Sequence, residues 1–124
     1  MTRVYIVDDS KAIRERLKEL LVDIAGIEII GESEDPTEAL VEIRADRPDA
    51  VILDIHLPGI SGIEVLRRIK WKNPGTRVIM LTNYPYPKYR QQSLAAGADY
   101  FFQKTTEFDK IPDVLKSLAA TGQH

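Results

Sequence analysis

The sequence contains no cysteine and no long apolar run, and its charges nearly cancel. Without cysteine there is no disulfide, no zinc–thiolate site and no thiol nucleophile, which fits a reducing compartment. No run approaches the roughly 20 apolar residues that a membrane helix needs. The formal net charge of -2 gives no sign of a surface for nucleic acid or for membranes. We therefore expect a cytoplasmic protein that contacts neither nucleic acid nor membrane through this domain.

Five short apolar runs alternate along the chain with five segments of helical spacing. The predicted strands begin at Val4, Ile27, Ala50, Val78 and Tyr100, and the second of them ends at Gly31. The predicted helices are residues 11–24, a segment from Asp35 to before Pro48, a segment from Ser61, residues 86–96 and a segment over 111–118. This alternation favours a doubly wound α/β fold, a parallel sheet with helices on both faces. We expect a single domain over residues 1–124, a length that suffices for one core.

Two of the predicted helices begin with strong end signals. Asp35 precedes Pro36, with Glu38 in the first turn, and this order is typical of a capped helix start. Ser61 precedes Glu64 by three residues, which is the spacing of a capping box. These signals fix where the helices before and after the third strand begin.

The first and fourth predicted helices differ in the apolar surface that they offer. Residues 11–24 place Leu17 and Leu21 on one apolar stripe, with charged residues such as Arg14 largely outside it. Residues 86–96 carry only a poor stripe. Such a helix either shifts easily because it is weakly anchored, or is simply exposed. The sequence leaves both explanations open.

Four of the five predicted strands end in polar side chains. These residues are Asp8 and Asp9, Asp54, Thr82 and Lys104. In a parallel sheet the carboxyl ends of all strands lie at one edge, where ligands bind. Three carboxylates repel one another unless a cation lies among them, and Mg²⁺, a hard ion with oxygen ligands, suits them best. Each residue alone has an ordinary explanation as a turn, cap or surface residue, so only their joint position indicates a site.

The same residues lie within motifs that resemble the receiver domain of two-component response regulators. The motifs are Val-Asp-Asp at 7–9, Leu-Asp-Ile-His-Leu-Pro-Gly-Ile-Ser-Gly at 53–62, Leu-Thr at 81–82 and Ala-Gly-Ala-Asp-Tyr-Phe-Phe-Gln-Lys at 96–104. Each motif alone is modest, but the ordered set is specific, and the resemblance covers nearly all of the chain. It implies a flavodoxin-like sheet in the order 2-1-3-4-5, an order that comes with the resemblance and not from the residues.

The resemblance also implies a phosphorylation site with a bound metal. Asp54 is then the phosphoacceptor, loaded by a histidine kinase or a phosphotransfer protein. Mg²⁺ is then held by Asp8, Asp9, Asp54 and the backbone carbonyl of His56, with Asp9 as a direct ligand. Such a domain catalyses only its own phosphorylation and dephosphorylation and is not otherwise an enzyme.

Three further residues are implied to respond to the phosphoryl group. Thr82 and Lys104 bind phosphoryl oxygens, and Phe101 has the aromatic switch position three residues before the lysine. Thr82 can move towards the new negative charge, and the vacated space can admit Phe101. We therefore expect a two-state switch that controls a downstream protein or an output domain outside these residues. A homodimer through the last two helices and the fifth strand is an expectation carried by the family.

Two alternatives are weighed against the switch. A receiver-like binding module that no longer switches would share the motifs, although all five key residues are present. A phosphatase with an aspartate nucleophile, similar to the haloacid dehalogenases, requires a second aspartate two residues after the first. This chain has His56 there. The switch is therefore the favoured function.

Two bulky residues predict slow loss of the phosphoryl group. His56 and Tyr84 have the positions at which side chains flank the attacking water in the family. The chain also departs from the family pattern after Lys104, where Thr105 replaces the usual proline. We expect the bulk of His56 and Tyr84 to restrict water at Asp54.

Overall fold

The structure, a computed structural model, describes residues 1–84 and 86–121. The strands are β1 (Thr2–Val7), β2 (Ile27–Ser33), β3 (Ala50–Asp54), β4 (Arg77–Thr82) and β5 (Tyr100–Gln103). The helices are α1 (Lys11–Leu21), α2 (Pro36–Asp46), α3 (Gly62–Lys72), α4 (Pro87–Ala95) and α5 (Lys110–Thr121). The single domain expected over residues 1–124 includes Pro85 and residues 122–124, which lie outside the described residues.

The five strands form one sheet in the order β2-β1-β3-β4-β5, and all of its pairings are parallel. The expected doubly wound arrangement is therefore confirmed. The register sets Val7 opposite Leu53 and Asp54 opposite Leu81. Because of this register, the carboxyl ends of β1, β3 and β4 lie level at one edge of the sheet.

Several predicted boundaries were wrong, among them the start of the first strand, which is Thr2 and not Val4, and two of them have a visible cause. α1 ends at Leu21 and not at residue 24, because the chain turns there: the Ile24 N–H donates to the Leu21 carbonyl at 3.2 Å, and Gly26 follows with a φ of 85°. β2 continues beyond its predicted end at Gly31 to Ser33, because it stays paired with β1 up to the end of that strand. Pairing with a neighbour therefore set the second boundary.

The sheet is buried on both faces, since successive strand residues point to opposite sides. Leu53 packs in a cluster whose helical members belong to α2 and α3. Ile52 packs in a second cluster whose helical members belong to α1 and α5. All five residues of β3 are buried, which explains why its sequence is continuously apolar and does not alternate.

Both helix-start predictions are confirmed in part by side-chain contacts. The Asp35 side chain caps α2, and Ser61 Oγ accepts a hydrogen bond from the Ile63 N–H at 3.1 Å. Glu64 departs from the expected capping box, because its carboxylate lies 3.1 Å from Arg68 one turn later. On an exposed helix face an arginine four residues on offers an ion pair that competes with the cap.

The helices are short, with 9 to 12 residues each, and they differ in how firmly they are anchored. In the described part of the chain none combines the length and the apolar character that a membrane crossing requires. Of the nine residues of α4, only Ser93 is buried, and Leu94 is 46% exposed. The expectation that residues 86–96 carry little apolar anchorage is confirmed.

Gly62, the first residue of α3, packs against the backbone at the end of β3. A Cβ at this position would lie 1.9 Å from the Asp54 carbonyl oxygen and 2.7 Å from Ile55 Cα. The Gly62 N–H donates to the Ile55 carbonyl at 2.7 Å. The start of α3 thus approaches the Asp54 backbone at a distance that only glycine permits.

Replacing Gly62 by alanine is expected to lower the free energy of unfolding by about 2–3 kcal/mol, because the new methyl group meets backbone that cannot yield without moving Asp54. Denaturant unfolding monitored by circular dichroism measures this loss. Gly75→Ala is the matched control, since a Cβ at Gly75 has nothing within 4 Å. Equal and small effects of the two substitutions would contradict a role for the Gly62 contact.

Candidate functional site

The polar side chains predicted at the strand ends meet at one edge of the sheet. Asp8 follows β1, Asp54 is the last residue of β3, and Lys104 follows β5. Lys104 Nζ lies 2.8 Å from Asp8 Oδ2 and 3.2 Å from Asp54 Oδ2. Since β4 separates β5 from β3, the long lysine side chain has to extend past the end of β4 to reach both carboxylates. The sheet order therefore creates a contact between residues far apart in sequence.

Each of the two buried carboxylates accepts a backbone hydrogen bond on one oxygen and lies near Lys104 with the other. The Ser10 N–H donates to Asp8 Oδ1 at 2.9 Å, and the His56 N–H donates to Asp54 Oδ1 at 3.2 Å. The second oxygen of each faces Lys104, and the two side chains are only 2% and 4% exposed. Backbone donors thus orient both acids.

Three carboxylates are close enough to share a cation. Asp8, Asp9 and Asp54 each place an oxygen within 4.8 Å of the others, and Asp9 is the exposed member. Among the described residues, the buried Asp8 Oδ2 accepts no well-directed hydrogen bond, although Lys104 Nζ is 2.8 Å away. Its lone pairs are therefore open to a cation. An all-oxygen set with this excess of negative charge fits Mg²⁺.

The pKa values of Asp54 and Lys104 are shifted by the same excess of negative charge. Burial, together with the charge of Asp8, raises the pKa of Asp54 to about 6. Lys104 and the His56 N–H act in the opposite direction without cancelling the rise. Burial alone would lower the pKa of Lys104, but the two carboxylates outweigh it and raise the pKa. The lysine therefore stays charged, and the Asp54 anion is destabilised until more positive charge arrives.

Thr82, the last residue of β4, lies at the same edge of the sheet. Its backbone carbonyl accepts a hydrogen bond from the Lys104 N–H at 2.8 Å. Its buried hydroxyl oxygen accepts one from the Tyr84 N–H at 2.9 Å. The predicted phosphoryl-binding hydroxyl is thus in place but is engaged with the loop that follows its own strand.

Phe101 is buried in the core, with 7% of its surface exposed. It lies on β5 opposite Met80, two residues before Thr82 on the neighbouring strand. The Arg90 guanidinium of α4 lies 5.8 Å from the centroid of the phenyl ring. The predicted switch residue therefore occupies an inward position in contact with α4.

Four aromatic side chains, which we call the aromatic rim, lie beside the site: His56, Tyr84, Tyr86 and Tyr89. The His56 ring contacts Tyr84 edge-on with centroids 4.7 Å apart, and Tyr89 at 5.3 Å. A concavity of about 550 Å³ extends from Asp9 to His56 and Tyr89. His56 and Tyr84 were predicted at the site from the sequence, whereas Tyr89 was not. The only signal for Tyr89 is its spacing of three residues from Tyr86 at the start of α4.

Arg14 is a second residue that the sequence analysis missed. Its Nη1 donates to the Asp8 carbonyl at 2.7 Å, and its Nε donates to Glu32 Oε1 at 2.9 Å. The side chain is only 11% exposed, so the predicted position of Arg14 outside the apolar stripe of α1 does not leave it in solvent. Ion pairs with Lys18 and with Arg14 lower the pKa of Glu32. Arg14 thus links α1 and β2 to the turn that carries Asp8.

Comparisons with known proteins agree with this geometry. The model of the response regulator receiver domain family matches residues 4–116. A putative transcriptional regulator of Pseudomonas aeruginosa is 37% identical over 124 residues, which are 100% of this chain and 59% of that protein. The DNA-binding transcriptional activator DevR/DosR of Mycobacterium tuberculosis is 30% identical over 120 residues, 97% of this chain and 55% of that protein.

The fold is also similar to solved structures. The signal receiver domain of the putative response regulator NarL from Mycobacterium tuberculosis superimposes with a TM-score of 0.87 at 28% identity, covering 97% of each chain. The present chain spans only 54% to 59% of the length of the curated relatives that it matches. The similarity therefore concerns one segment of those proteins.

Arg14→Gln is expected to weaken Mg²⁺ binding at least about tenfold, because the Asp8 carbonyl loses its charged donor and the turn loosens. Isothermal titration of the purified chain with MgCl₂ measures the affinity. Lys18→Gln is the matched control: it also removes a cation from Glu32 but leaves the Arg14–Asp8 bond, and it should bind Mg²⁺ like the wild type. Equal losses in both variants would assign the effect to Glu32 and not to Asp8.

Proposed function

Because this chain belongs to the response regulator receiver family, we propose that Asp54 accepts a phosphoryl group from the phosphohistidine of a histidine kinase or a phosphotransfer protein. Receiver domains are signal-transduction modules of two-component systems, and the match over residues 4–116 assigns the chain to them. One observation carries the proposal for Asp54. The buried ammonium of Lys104 contacts the carboxylates of both Asp54 and Asp8, at 3.2 and 2.8 Å.

The proposed reaction is an in-line displacement at phosphorus. An oxygen of the Asp54 carboxylate forms the new O–P bond while the P–N bond to the histidine breaks, and the electron pair of that bond returns to the imidazole. Lys104, whose Nζ lies 3.2 Å from Asp54 Oδ2, would offset the charge of the equatorial phosphoryl oxygens. Asp8 and Asp54 raise the pKa of its ammonium, so Lys104 would act as a fixed charge and not as an acid. Beyond this step the domain would catalyse only the hydrolysis of its own acyl phosphate.

We propose that Mg²⁺ is held by Asp8, Asp9, Asp54 and the backbone carbonyl of His56. When bound, the ion supplies further positive charge for the phosphoryl oxygens. The support is the donor set itself: three carboxylates within 4.8 Å of one another and an open lone pair on the buried Asp8 Oδ2. The His56 N–H, bonded to Asp54 at 3.2 Å, keeps that backbone segment beside the site.

We further propose that Thr82 and Phe101 convert phosphorylation into a change of surface. The Thr82 hydroxyl would exchange its contact with the Tyr84 N–H for one with a phosphoryl oxygen. That exchange releases the loop between β4 and α4, and α4 rests on a single buried residue. The inward Phe101 ring, with Arg90 of α4 at 5.8 Å, would stabilise the shifted helix.

The proposed partners follow from the family. The switch would control a downstream protein or an output domain, and transcriptional regulators among the relatives support an output on gene expression. We propose a cytoplasmic location and, for the active form, a homodimer through α4, β5 and α5. The mostly exposed residues of α4 leave that face available for a second copy.

Incubation with Mg²⁺ and acetyl phosphate is expected to add one phosphoryl group to the wild-type chain, as intact mass spectrometry can measure. Asp54→Asn and the addition of EDTA should each abolish the gain. Asp109→Asn, which alters an exposed aspartate, is the control and should still be modified. Failure of the wild type under conditions in which another receiver is modified would favour a binding module that does not switch.

Loss of the phosphoryl group is expected to be slow in the wild type and on the order of tenfold faster in His56→Ala/Tyr84→Ala, about 1.4 kcal/mol in activation free energy. The two rings meet at 4.7 Å, and their removal opens a path for water to Asp54. The decay of phosphoprotein after removal of acetyl phosphate gives the rate. Tyr86→Ala, which leaves the His56–Tyr84 contact, should decay like the wild type, and rapid decay of the wild type itself would refute the shielding.

A further inference from the structure

The groove between α2 and α3 leaves two large apolar side chains in solvent. Val41 of α2 is 66% exposed, and Trp71 of α3 is 82% exposed. α3 begins where Gly62 packs on the Asp54 carbonyl. Trp71 lies about 13 Å further along the axis of this helix. The exposed tryptophan therefore lies far from the strand ends that carry the candidate phosphorylation site.

Two concavities lie side by side on these helices, and both are lined by Arg44 and Arg68. The first, of about 360 Å³, includes the apolar side chains of Leu40 and Ala45. The second, of about 300 Å³, is bordered by Trp71. We call the pair the α2–α3 groove. It joins an apolar depression to an exposed indole ring.

The charge of the α2–α3 groove is opposite to that of the whole chain. The second concavity has four cationic side chains and one anionic one: Arg44, Arg67, Arg68, Lys72 and Glu64. The chain has a net charge of -2. Arg44 and Lys72 lie in the last turns of their helices, where cations favour the helix dipole. That effect does not account for two further arginines or for an indole ring in solvent.

We propose that the α2–α3 groove binds an acidic segment of a partner protein that also carries apolar side chains, with Trp71 as the anchor. Tryptophan and arginine are the residues that most often dominate the energy of protein interfaces. Glu64 pairs with Arg67 and Arg68, which leaves Arg44 and Lys72 to bind carboxylates of the partner. Asp54 does not line this groove, so a segment bound here leaves the edge at Asp54 uncovered.

Trp71 is the only tryptophan of the chain, so its fluorescence reports on this groove alone. The probe is a short peptide with leucine and glutamate at helical spacing, titrated into the full chain. We expect a saturable shift of the emission to shorter wavelength, lower quenching by acrylamide and weaker binding at high salt. Arg44→Gln/Lys72→Gln should weaken binding at least about fivefold.

Two controls and three outcomes decide the proposal. Lys88→Gln/Lys116→Gln, which removes two exposed charges elsewhere, should bind the peptide like the wild type. A peptide with lysine in place of glutamate should leave the emission unchanged. No saturable change in the wild type, or tighter binding of a single-stranded DNA oligonucleotide, would overturn the proposal. Sedimentation showing that a second copy of the chain covers Trp71 would do the same.

Discussion

Two buried carboxylates share one ammonium, and this incomplete compensation of charge governs the site. Asp8 and Asp54 both lie against Lys104, and the charge that remains unbalanced helps burial to raise the pKa of Asp54 to about 6. A site in this state favours any ligand that adds positive charge. A divalent cation satisfies it, and a phosphoryl group, which brings negative charge, becomes acceptable only beside enough positive charge.

Several contacts keep the two buried carboxylates, Asp8 and Asp54, from moving apart. Amide donors hold one oxygen of each buried acid, and Arg14 binds the carbonyl of Asp8. Gly62 presses the start of α3 against the carbonyl of Asp54. These groups carry no chemistry of their own. They maintain an arrangement that repulsion between the carboxylates would otherwise open.

The helices divide the surface into regions of unlike chemistry. α2 and α3 bury a full apolar side against the sheet and present cations and Trp71 to solvent. α4 buries one residue and presents Tyr89, next to Tyr86 at its N-cap, beside the site. A firmly packed helix pair offers a surface of constant shape, whereas a weakly anchored helix can change position at small cost. The fold thus separates a firmly packed face from a weakly anchored one.

The residues themselves specified the alternation of strands and helices, because hydrophobic spacing and end signals are local properties of the chain. They also indicated the polar strand ends, and the resemblance supplied the strand order that the structure confirms. Only the tertiary structure revealed the contact of Arg14 with Asp8, the place of Tyr89 in the aromatic rim and the end of α1 at Leu21. Each of these features depends on a turn or on a partner in another element. For Arg14, helical spacing alone cannot distinguish a charged residue that faces water from one that lies over the end of a strand.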